Sequence, residues 1–235
     1  MSDNISSKFK YIDFCKDVDS ISIFCQPWWL DAVARQSNWD VVLSYDKNNN
    51  VTGALPYSFT DKNKKIIGMP LLTQCLGPWI KYPDNIAYST KLSFEKKTIY
   101  QLTSQLPRFS KFVQNLNYSI TNWLPFYWKG FKQTTRYTYI IRNISNPSNL
   151  FQAFGRKAKD KIKKASKLVK TKSTDDIELF YRINSMSYER QGKKPPYPFN
   201  FFARLDDACR SNRSREMLYA IDTKGNIHSI VYLVF

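Results

Sequence analysis

The chain has 235 residues, of which 43% are apolar and 16% aromatic, and its formal net charge is +17. This apolar content is enough for a packed core and excludes a chain that is disordered throughout. The longest apolar run, residues 230–235, is far shorter than the roughly 20 residues that span a bilayer. The first twenty residues contain four aspartates and lack the apolar core of a signal peptide, so we expect a cytoplasmic protein.

The first 140 residues predict short strands around two helices. An extended segment is expected near Tyr11 and Ile12, and helical spacing of apolar residues predicts a helix at 27–34. Short apolar runs separated by Asp, Asn and Lys predict an antiparallel meander of strands at 41–45, 53–59 and 66–69. A further helix and two further strands are predicted at 92–106, 118–123 and 137–141.

The remaining residues predict helices first and a hairpin last. After Pro147, apolar residues recur every three or four positions and predict one long amphipathic helix with a core-facing stripe, at Phe151, Phe154, Ala158, Ile162, Ala165 and Val169. An extended piece at 169–172 and an N-cap at 173–176 lead into a helix that ends near Glu189. The last predicted elements are a helix and two hairpin strands, at 199–209, 217–221 and 227–235.

These elements predict an α/β protein with mixed α+β sheets. We expect two domains, 1–142 and 143–235, the second of which begins with the basic amphipathic helix.

The positive charge is concentrated in one place. Residues 156–172 carry nine basic side chains and a single acidic one, Asp160. A helix face that serves only solubility normally mixes both signs, because opposite charges four residues apart stabilise a helix. The two interpretations, a solvated face and a site for phosphate groups, are about equally supported. The phosphates could belong to a nucleotide, a lipid-linked diphosphate or RNA.

No catalytic motif stands out. The four cysteines are widely spaced and there is one histidine, so neither a metal site nor a disulfide framework is indicated, and the thiols are expected to be reduced, buried side chains. A Ser-His-Asp triad would depend on His228, which lies in an apolar strand pattern. Seven glycines form no dinucleotide, P-loop or acetyl-CoA pyrophosphate motif. The motifs therefore assign no catalytic residue and leave open whether the chain is an enzyme.

Several segments together resemble the bacterial FemAB-like branch of the GNAT acyltransferases. They are the aromatic run 122–131 followed by Arg136-Tyr137-Thr138-Tyr139, the basic helix 156–165, and the shorter stretches 24–30, 68–73, 220–222 and 227–229. Singly these segments are weak signals, but their order and spacing are fairly specific.

The resemblance implies two GNAT-like domains and an activity. The family's best-known members transfer amino acids from aminoacyl-tRNA to a peptidoglycan precursor. By this resemblance we expect transfer of an acyl or aminoacyl group, from acyl-CoA or aminoacyl-tRNA, to an amine on a phosphorylated small-molecule or lipid-linked acceptor of the cell envelope. No bound cofactor is expected, and tRNA is a possible partner.

The resemblance also suggests site residues. Lys159 occupies the place of a phosphate-contacting arginine, and the expected phosphate site is Arg156, Lys159, Lys163 and Lys164. Looser candidates for lining an acceptor cleft, for which aromatic core packing is an equal alternative, are Trp79, Lys81, Tyr127, Trp128 and Arg136.

Compared with the family pattern, the second domain ends early. We expect a truncated domain or one that completes its sheet with a partner, for example in a homodimer formed through the exposed C-terminal strand. Two alternatives to acyl transfer stay open: a non-catalytic nucleic-acid-binding module that uses the basic helix at 150–172, and an inactive GNAT remnant.

Overall fold

The computed structural model describes residues 6–141 and 143–235; residues 1–5 and 142, which the predicted first domain includes, lie outside the described part. The chain divides into two compact units. The first runs to Gln133 and includes Asn200–Ala208, and the second comprises Thr134–Phe199 and Cys209–Phe235. The mixed α and β fold class is confirmed. The two GNAT-like domains with a boundary after residue 142 stay a prediction.

The first unit combines helices with a five-stranded sheet. Its helices are α1 (Ser7–Phe14), α2 (Pro27–Ala34), α3 (Tyr88–Ser104) and α4 (Leu124–Tyr127). Its strands are β1 (Trp39–Tyr45), β2 (Val51–Phe59), β3 (Ile66–Gly68), β4 (Trp79–Ile80) and β5 (Lys111–Phe112).

Strand β2 is the centre of this sheet. It pairs antiparallel with β1 along its length, so that Leu43 lies opposite Ala54. Near its end β2 pairs antiparallel with β3, and near its start with β4. Strand β3 in turn pairs in parallel with β5. The predicted meander of three antiparallel strands is confirmed.

Both faces of the β1–β2 pair are buried. On one face, Tyr11 of α1 and Leu30 of α2 pack with Leu43 and Ala54. On the other, Leu102 of α3 belongs to a cluster with Val42, Leu55, Tyr57 and Ile67. Since successive side chains of a strand point to opposite faces, the alternation along β1 and β2 places α1 and α2 on one side of the sheet and α3 on the other.

The second unit has a three-stranded antiparallel sheet. The helices are α5 (Pro147–Ala153), α6 (Arg156–Leu168) and α7 (Ile177–Glu189), and α8 (Phe199–Ser211) contributes residues to both units. The strands are β6 (Val169–Ser173), β7 (Arg215–Asp222) and β8 (Ile227–Val234), with β7 in the middle. Phe180 of α7 packs against Tyr232 of β8 with ring centroids 5.4 Å apart.

Local chemistry explains the second-unit elements that the sequence predicts well. Asp176 caps α7 by accepting a hydrogen bond from the backbone N–H of Leu179 at 2.8 Å. In the β7–β8 hairpin, Asp222 accepts the N–H groups of Lys224 and Asn226, and Gly225 takes a positive φ of 86°. These contacts confirm the predicted N-cap of α7 and the predicted hairpin.

Three predicted strands are wrong. The segment at Tyr11 and Ile12 is helical, because Ser6 caps α1 and the Tyr11 ring is buried with its hydroxyl bonded to the Cys25 carbonyl at 2.9 Å. Residues 118–123 form a turn and irregular chain, in which the Asn117 side chain accepts the Ser119 N–H. Residues 137–141 are irregular and exposed, and among the described residues they pair with no strand.

The single long helix predicted after Pro147 is two helices. The backbone of Phe154 is extended (φ −66°, ψ 144°), as is that of Gly155 (φ −60°, ψ 150°), which becomes the N-cap of α6. Glycine loses more conformational freedom in a helix than any other residue, which favours a break here. The break shifts Phe151 and Phe154 out of phase with the apolar residues of α6.

None of the described helices combines the length and the hydropathy that crossing a bilayer demands.

Truncating a side chain of the sheet core is expected to destabilise the first unit. Leu55 of β2 is fully buried, so Leu55→Ala should lower the free energy of unfolding by about 2–5 kcal/mol through lost contacts and a cavity. The exposed Leu71→Ala is the matched control and should change it little. Urea unfolding followed by tryptophan fluorescence measures both; equal stability of the two variants would contradict the assignment of Leu55 to the core.

Candidate functional site

Helix α6 displays the cation cluster that the sequence singles out. Arg156, Lys163 and Lys164 are exposed and Lys159 is half-buried, all on this one helix. At about 100° per residue, Arg156 and Lys163 point within about 40° of each other. Lys164 points further round the helix, beside Asp160. The four predicted phosphate residues therefore share a helix, but they do not form one row.

Lys167 is the residue that the predicted set misses. It follows Lys163 by four positions and lies, at about 100° per residue, within about 40° of both Arg156 and Lys163. The spacing of four residues between Lys163 and Lys167 is the sequence feature that could have identified Lys167. Arg156, Lys163 and Lys167 thus form one row along α6, which is called here the cation row.

The cation row has little compensating negative charge. Arg156 Nε lies 3.9 Å from Asp160 Oδ2, and both side chains are largely exposed (95% and 59%), so water screens this pair strongly. Among the described residues, no carboxylate lies within ion-pair distance of Lys163 or Lys167. Lys163 and Lys167 repel each other at a spacing of four residues. An anion with several oxygens would relieve this repulsion.

Lys159 already has a structural partner. Its ammonium donates a hydrogen bond to the Gln152 carbonyl at 2.6 Å, near the C-terminal end of α5. A cation at that end satisfies a carbonyl that has no partner within the helix and interacts favourably with the helix dipole. Lys159 is therefore less available to a ligand than Lys163.

The predicted core-facing stripe of α6 is not buried. Ile162 is 43% exposed and Leu168 is 69% exposed, and Ala158 and Ala165 are exposed as well. The expectation of a buried stripe is thus corrected, because the break at Gly155 leaves only small or isolated apolar side chains on this side of α6.

The aromatic acceptor-cleft candidates lie on different faces of the first unit. Trp79 of β4 lies opposite Ala54 and packs on the cluster beneath α1, with Phe14 at 5.2 Å and its Nε1 donating to Ser20 Oγ at 3.0 Å. Trp128 ends α4, where Lys96 of α3 lies over its ring at 5.3 Å. Because α1 and α3 cover opposite faces of the sheet, the structure does not bring Trp79 and Trp128 together.

The other three candidates are exposed. Lys81 follows β4, and its backbone N–H donates to the Thr52 carbonyl at 2.9 Å. Tyr127 packs edge-on against Trp123 with ring centroids 5.3 Å apart and leaves its other side open. Arg136 lies in the exposed irregular segment of the second unit. Of the five, Tyr127 and Trp128 are neighbours.

A buried carboxylate behind α4 is a feature that the sequence did not reveal. Glu95 of α3 is buried and accepts hydrogen bonds from the Tyr82 hydroxyl at 2.7 Å and from the Asn122 amide at 3.1 Å. Burial, together with the bond to Glu95, raises the pKa of Tyr82 well above its usual value. Through Glu95, α3 is hydrogen-bonded to the segment that precedes α3 and to the segment that precedes α4.

A small pocket lies between α7 and β8 in the second unit. It has a volume of about 130 Å³, and isoleucine and methionine side chains line it together with polar ones that include Asn184, Ser187, Arg190 and His228. His228 Nε2 lies 2.9 Å from Asp222 Oδ2, whereas the Ser187 hydroxyl donates to the Ile183 carbonyl of its own helix at 3.4 Å. Among the described residues no serine hydroxyl bonds His228, so the structure assembles no Ser-His-Asp triad around it.

Two cysteines of the first unit, Cys15 and Cys25, are not activated thiolates. Burial raises the pKa of the Cys25 thiol well above its usual value and that of the Cys15 thiol to about 12. Both side chains favour the neutral thiol at physiological pH, which is the inert form. Among the described residues, no group of three or more metal-ligating side chains comes together.

Acid is expected to weaken the β7–β8 hairpin through Asp222. Hydrogen bonds from Asn226 and His228 hold the pKa of this carboxyl far below its usual value. A depressed folded-state pKa stabilises the fold above the unfolded-state pKa, about 3.9, and this stabilisation disappears as pH falls towards the folded-state value.

The variant Asp222→Asn removes the charge and keeps the shape. Chemical unfolding from neutral to acidic pH should show the parent chain more stable than Asp222→Asn near neutrality, with the gap closing below about pH 4. Asp84→Asn, in an exposed loop of the first unit, is the control. A gap that stays constant into the acid range would show that the carboxylate charge contributes nothing.

Comparison with known proteins supports the fold. No protein-family model matches the sequence, and no curated protein matches it. Among solved structures, the crystal structure of FemX is similar, with a TM-score of 0.55 and 14% sequence identity over 91% of this chain. The match spans 56% of the FemX chain, so this chain corresponds to little more than half of FemX. The likeness shows that the chain has a FemX-like mixed α and β fold.

Proposed function

We propose that the chain takes part in transfer of an acyl or aminoacyl group to an amine on a phosphorylated cell-envelope precursor, and that α6 binds the phosphates of this acceptor. The observation that carries the proposal is the cation row Arg156, Lys163 and Lys167, exposed and almost uncompensated, on a chain with a FemX-like fold. The FemAB-like sequence segments supply the reaction class.

The reaction needs little from a side-chain nucleophile. The amine nitrogen of the acceptor attacks the acyl carbonyl carbon of an aminoacyl ester or an acyl thioester, and a C–N bond forms as the C–O or C–S bond breaks. The amine loses a proton, and the departing alcohol or thiol gains one. Holding the two reactants in line and stabilising the oxyanion provides most of the acceleration. This agrees with the neutral Cys15 and Cys25 thiols and with the lack, among the described residues, of a serine hydroxyl bonded to His228.

The residue types of the cation row suit a diphosphate. The Arg156 guanidinium is planar and can donate two parallel hydrogen bonds to one phosphate. Lys163 and Lys167 are point charges that can follow a flexible second phosphate. Lys164 lies at the edge of the site, four residues after Asp160, and Lys159 supports the α5–α6 junction instead.

Acyl-CoA and aminoacyl-tRNA are both suitable donors, and the residues that would bind either one are not assigned. A second copy of the chain is a suitable partner for β8, an outer strand of its sheet on which Val231 and Leu233 are exposed.

Two other functions give different outcomes in a binding experiment. A nucleic-acid-binding module would use the same lysines but would bind any RNA, with an affinity that falls steeply with salt because counterions are released. An inactive remnant would bind neither ligand.

The test is calorimetric titration of the purified chain with a nucleotide-linked sugar and with single-stranded RNA, at several salt concentrations. We expect saturable binding of the sugar nucleotide. Lys163→Ala with Lys167→Ala should weaken it by about tenfold or more, since two charge-assisted hydrogen bonds are lost. Lys159→Ala should have a smaller effect, because that ammonium bonds the Gln152 carbonyl.

The matched control is Lys224→Ala in the β7–β8 turn, which removes one positive charge away from α6. It should leave sugar-nucleotide affinity unchanged. If RNA alone binds, with a steep salt dependence that the α6 variants remove, the acyltransferase proposal is replaced by the nucleic-acid module. Absence of binding to both ligands favours the remnant.

A further inference from the structure

The outer surface of α3 and α4 combines positive charge with exposed aromatic rings. Residues 85–133 carry seven basic side chains and one acidic side chain, and that acid, Glu95, is buried. Its carboxylate accepts hydrogen bonds from Tyr82 and Asn122 and is not part of the outer surface. All charged side chains that this segment exposes are therefore positive.

The aromatic rings and the lysines of this surface touch one another. Lys129 Nζ lies 3.7 Å from the centroid of the Tyr100 ring and donates a hydrogen bond to Ser104 Oγ at 2.9 Å. Lys96 Nζ lies 5.3 Å from the Trp128 ring. Because Lys96, Tyr100 and Ser104 are four residues apart along α3, they form one stripe with Trp128 and Lys129 beside it. This stripe is called here the lysine–aromatic strip.

Large apolar groups of the lysine–aromatic strip and of the adjoining α4 face solvent, although the core beside them is well packed. Trp128 is 60% exposed, Tyr100 58%, Tyr127 57% and Leu124 47%. Beneath them, Phe126 of α4 is buried and packs against Phe131 at 5.8 Å. Exposure of the rings is therefore not a sign of a loosely folded helix, since the inner side of α4 is anchored.

We infer that the lysine–aromatic strip binds the surface of a membrane that contains anionic lipids. Tryptophan and tyrosine favour the headgroup region of a bilayer, where their rings are apolar and their N–H or O–H groups meet water. Lysines beside them attract anionic headgroups and reach outward along their apolar stems. The inference does not depend on the proposed transferase activity.

Two observations favour a bilayer over single-stranded nucleic acid. Leu124 adds an exposed aliphatic side chain, which gains from burial among lipid chains and contributes nothing to base stacking. In addition, Lys129 covers a face of Tyr100 at 3.7 Å, and base stacking needs open ring faces. Binding to a lipid interface does not require these lysine–ring contacts to break.

The test is sedimentation of the full chain with vesicles of phosphatidylcholine alone and of phosphatidylcholine mixed with phosphatidylglycerol. We expect binding to the mixed vesicles to exceed binding to the neutral ones. Lys96→Gln with Lys129→Gln should lower the partition coefficient for mixed vesicles by on the order of tenfold. Trp128→Ala should lower it by about fivefold, because an interfacial ring is lost. These residues are on the surface, so circular dichroism should show unchanged folding.

Matched controls separate this strip from other charge and other rings. Phe9→Ala removes an exposed ring from α1, and Lys47→Gln removes an exposed charge from the β1–β2 turn; both should bind vesicles as the parent chain does. Since α6 is also basic, Lys163→Gln with Lys167→Gln is measured in parallel.

Three results would overturn the inference. The first is equal binding to neutral and mixed vesicles. The second is vesicle binding that survives the Lys96 and Lys129 changes but is lost in the α6 variant. The third is no vesicle binding together with single-stranded RNA binding that Trp128→Ala removes, which would assign the strip to nucleic acid.

Discussion

The first unit depends on burial of both faces of the β1–β2 pair. Because neighbouring residues of a strand face opposite sides, Leu43 and Ala54 bind α1 and α2 to one face, while Val42 and Leu55 hold α3 on the other. Because the two faces are covered by different helices, Trp79 and Trp128 lie in different surroundings. Trp79 joins the packing under α1, and Trp128 is displayed beyond α3. Two residues that the sequence suggested for one cleft thus have separate roles, one in packing and one on a surface.

The second unit shows how charge is presented without a surrounding pocket. Helix α6 follows a break at Gly155, so its apolar residues lose the phase of Phe151 and Phe154 and stay exposed. The cation row Arg156, Lys163 and Lys167 is held by a regular helix. Like charges at this spacing destabilise a helix by a few tenths of a kcal/mol per pair, which is small beside the gain from a charge-assisted bond to a phosphate. The helix therefore tolerates this repulsion without a ligand, and its positive charge stays available for the proposed phosphate site.

Sequence reasoning was most successful where local chemistry decides structure. The helix at Pro27–Ala34, the β1–β3 meander and the Asp222–Gly225 turn follow from spacing, caps and turn residues. It failed at Tyr11, where the Ser6 cap starts a helix and the Tyr11 hydroxyl bonds the distant Cys25 carbonyl. It also failed at residues 137–141, whose alternating pattern meets no partner strand among the described residues. For the site, the sequence predicted the basic helix. It could not show that Lys159 bonds Gln152 or that Glu95 is buried behind α4, because these contacts depend on chain geometry.

The proposed function depends on phosphate binding by the cation row of α6. Its most direct measurement is NMR of the chain with ¹³C-methylated lysines, which keep their charge, during titration with inorganic diphosphate. We expect saturable shifts for Lys163 and Lys167, a smaller shift for Lys159, and none for Lys224. Shifts of similar size at every exposed lysine, without saturation, would mean general ionic screening and would contradict a phosphate site on α6.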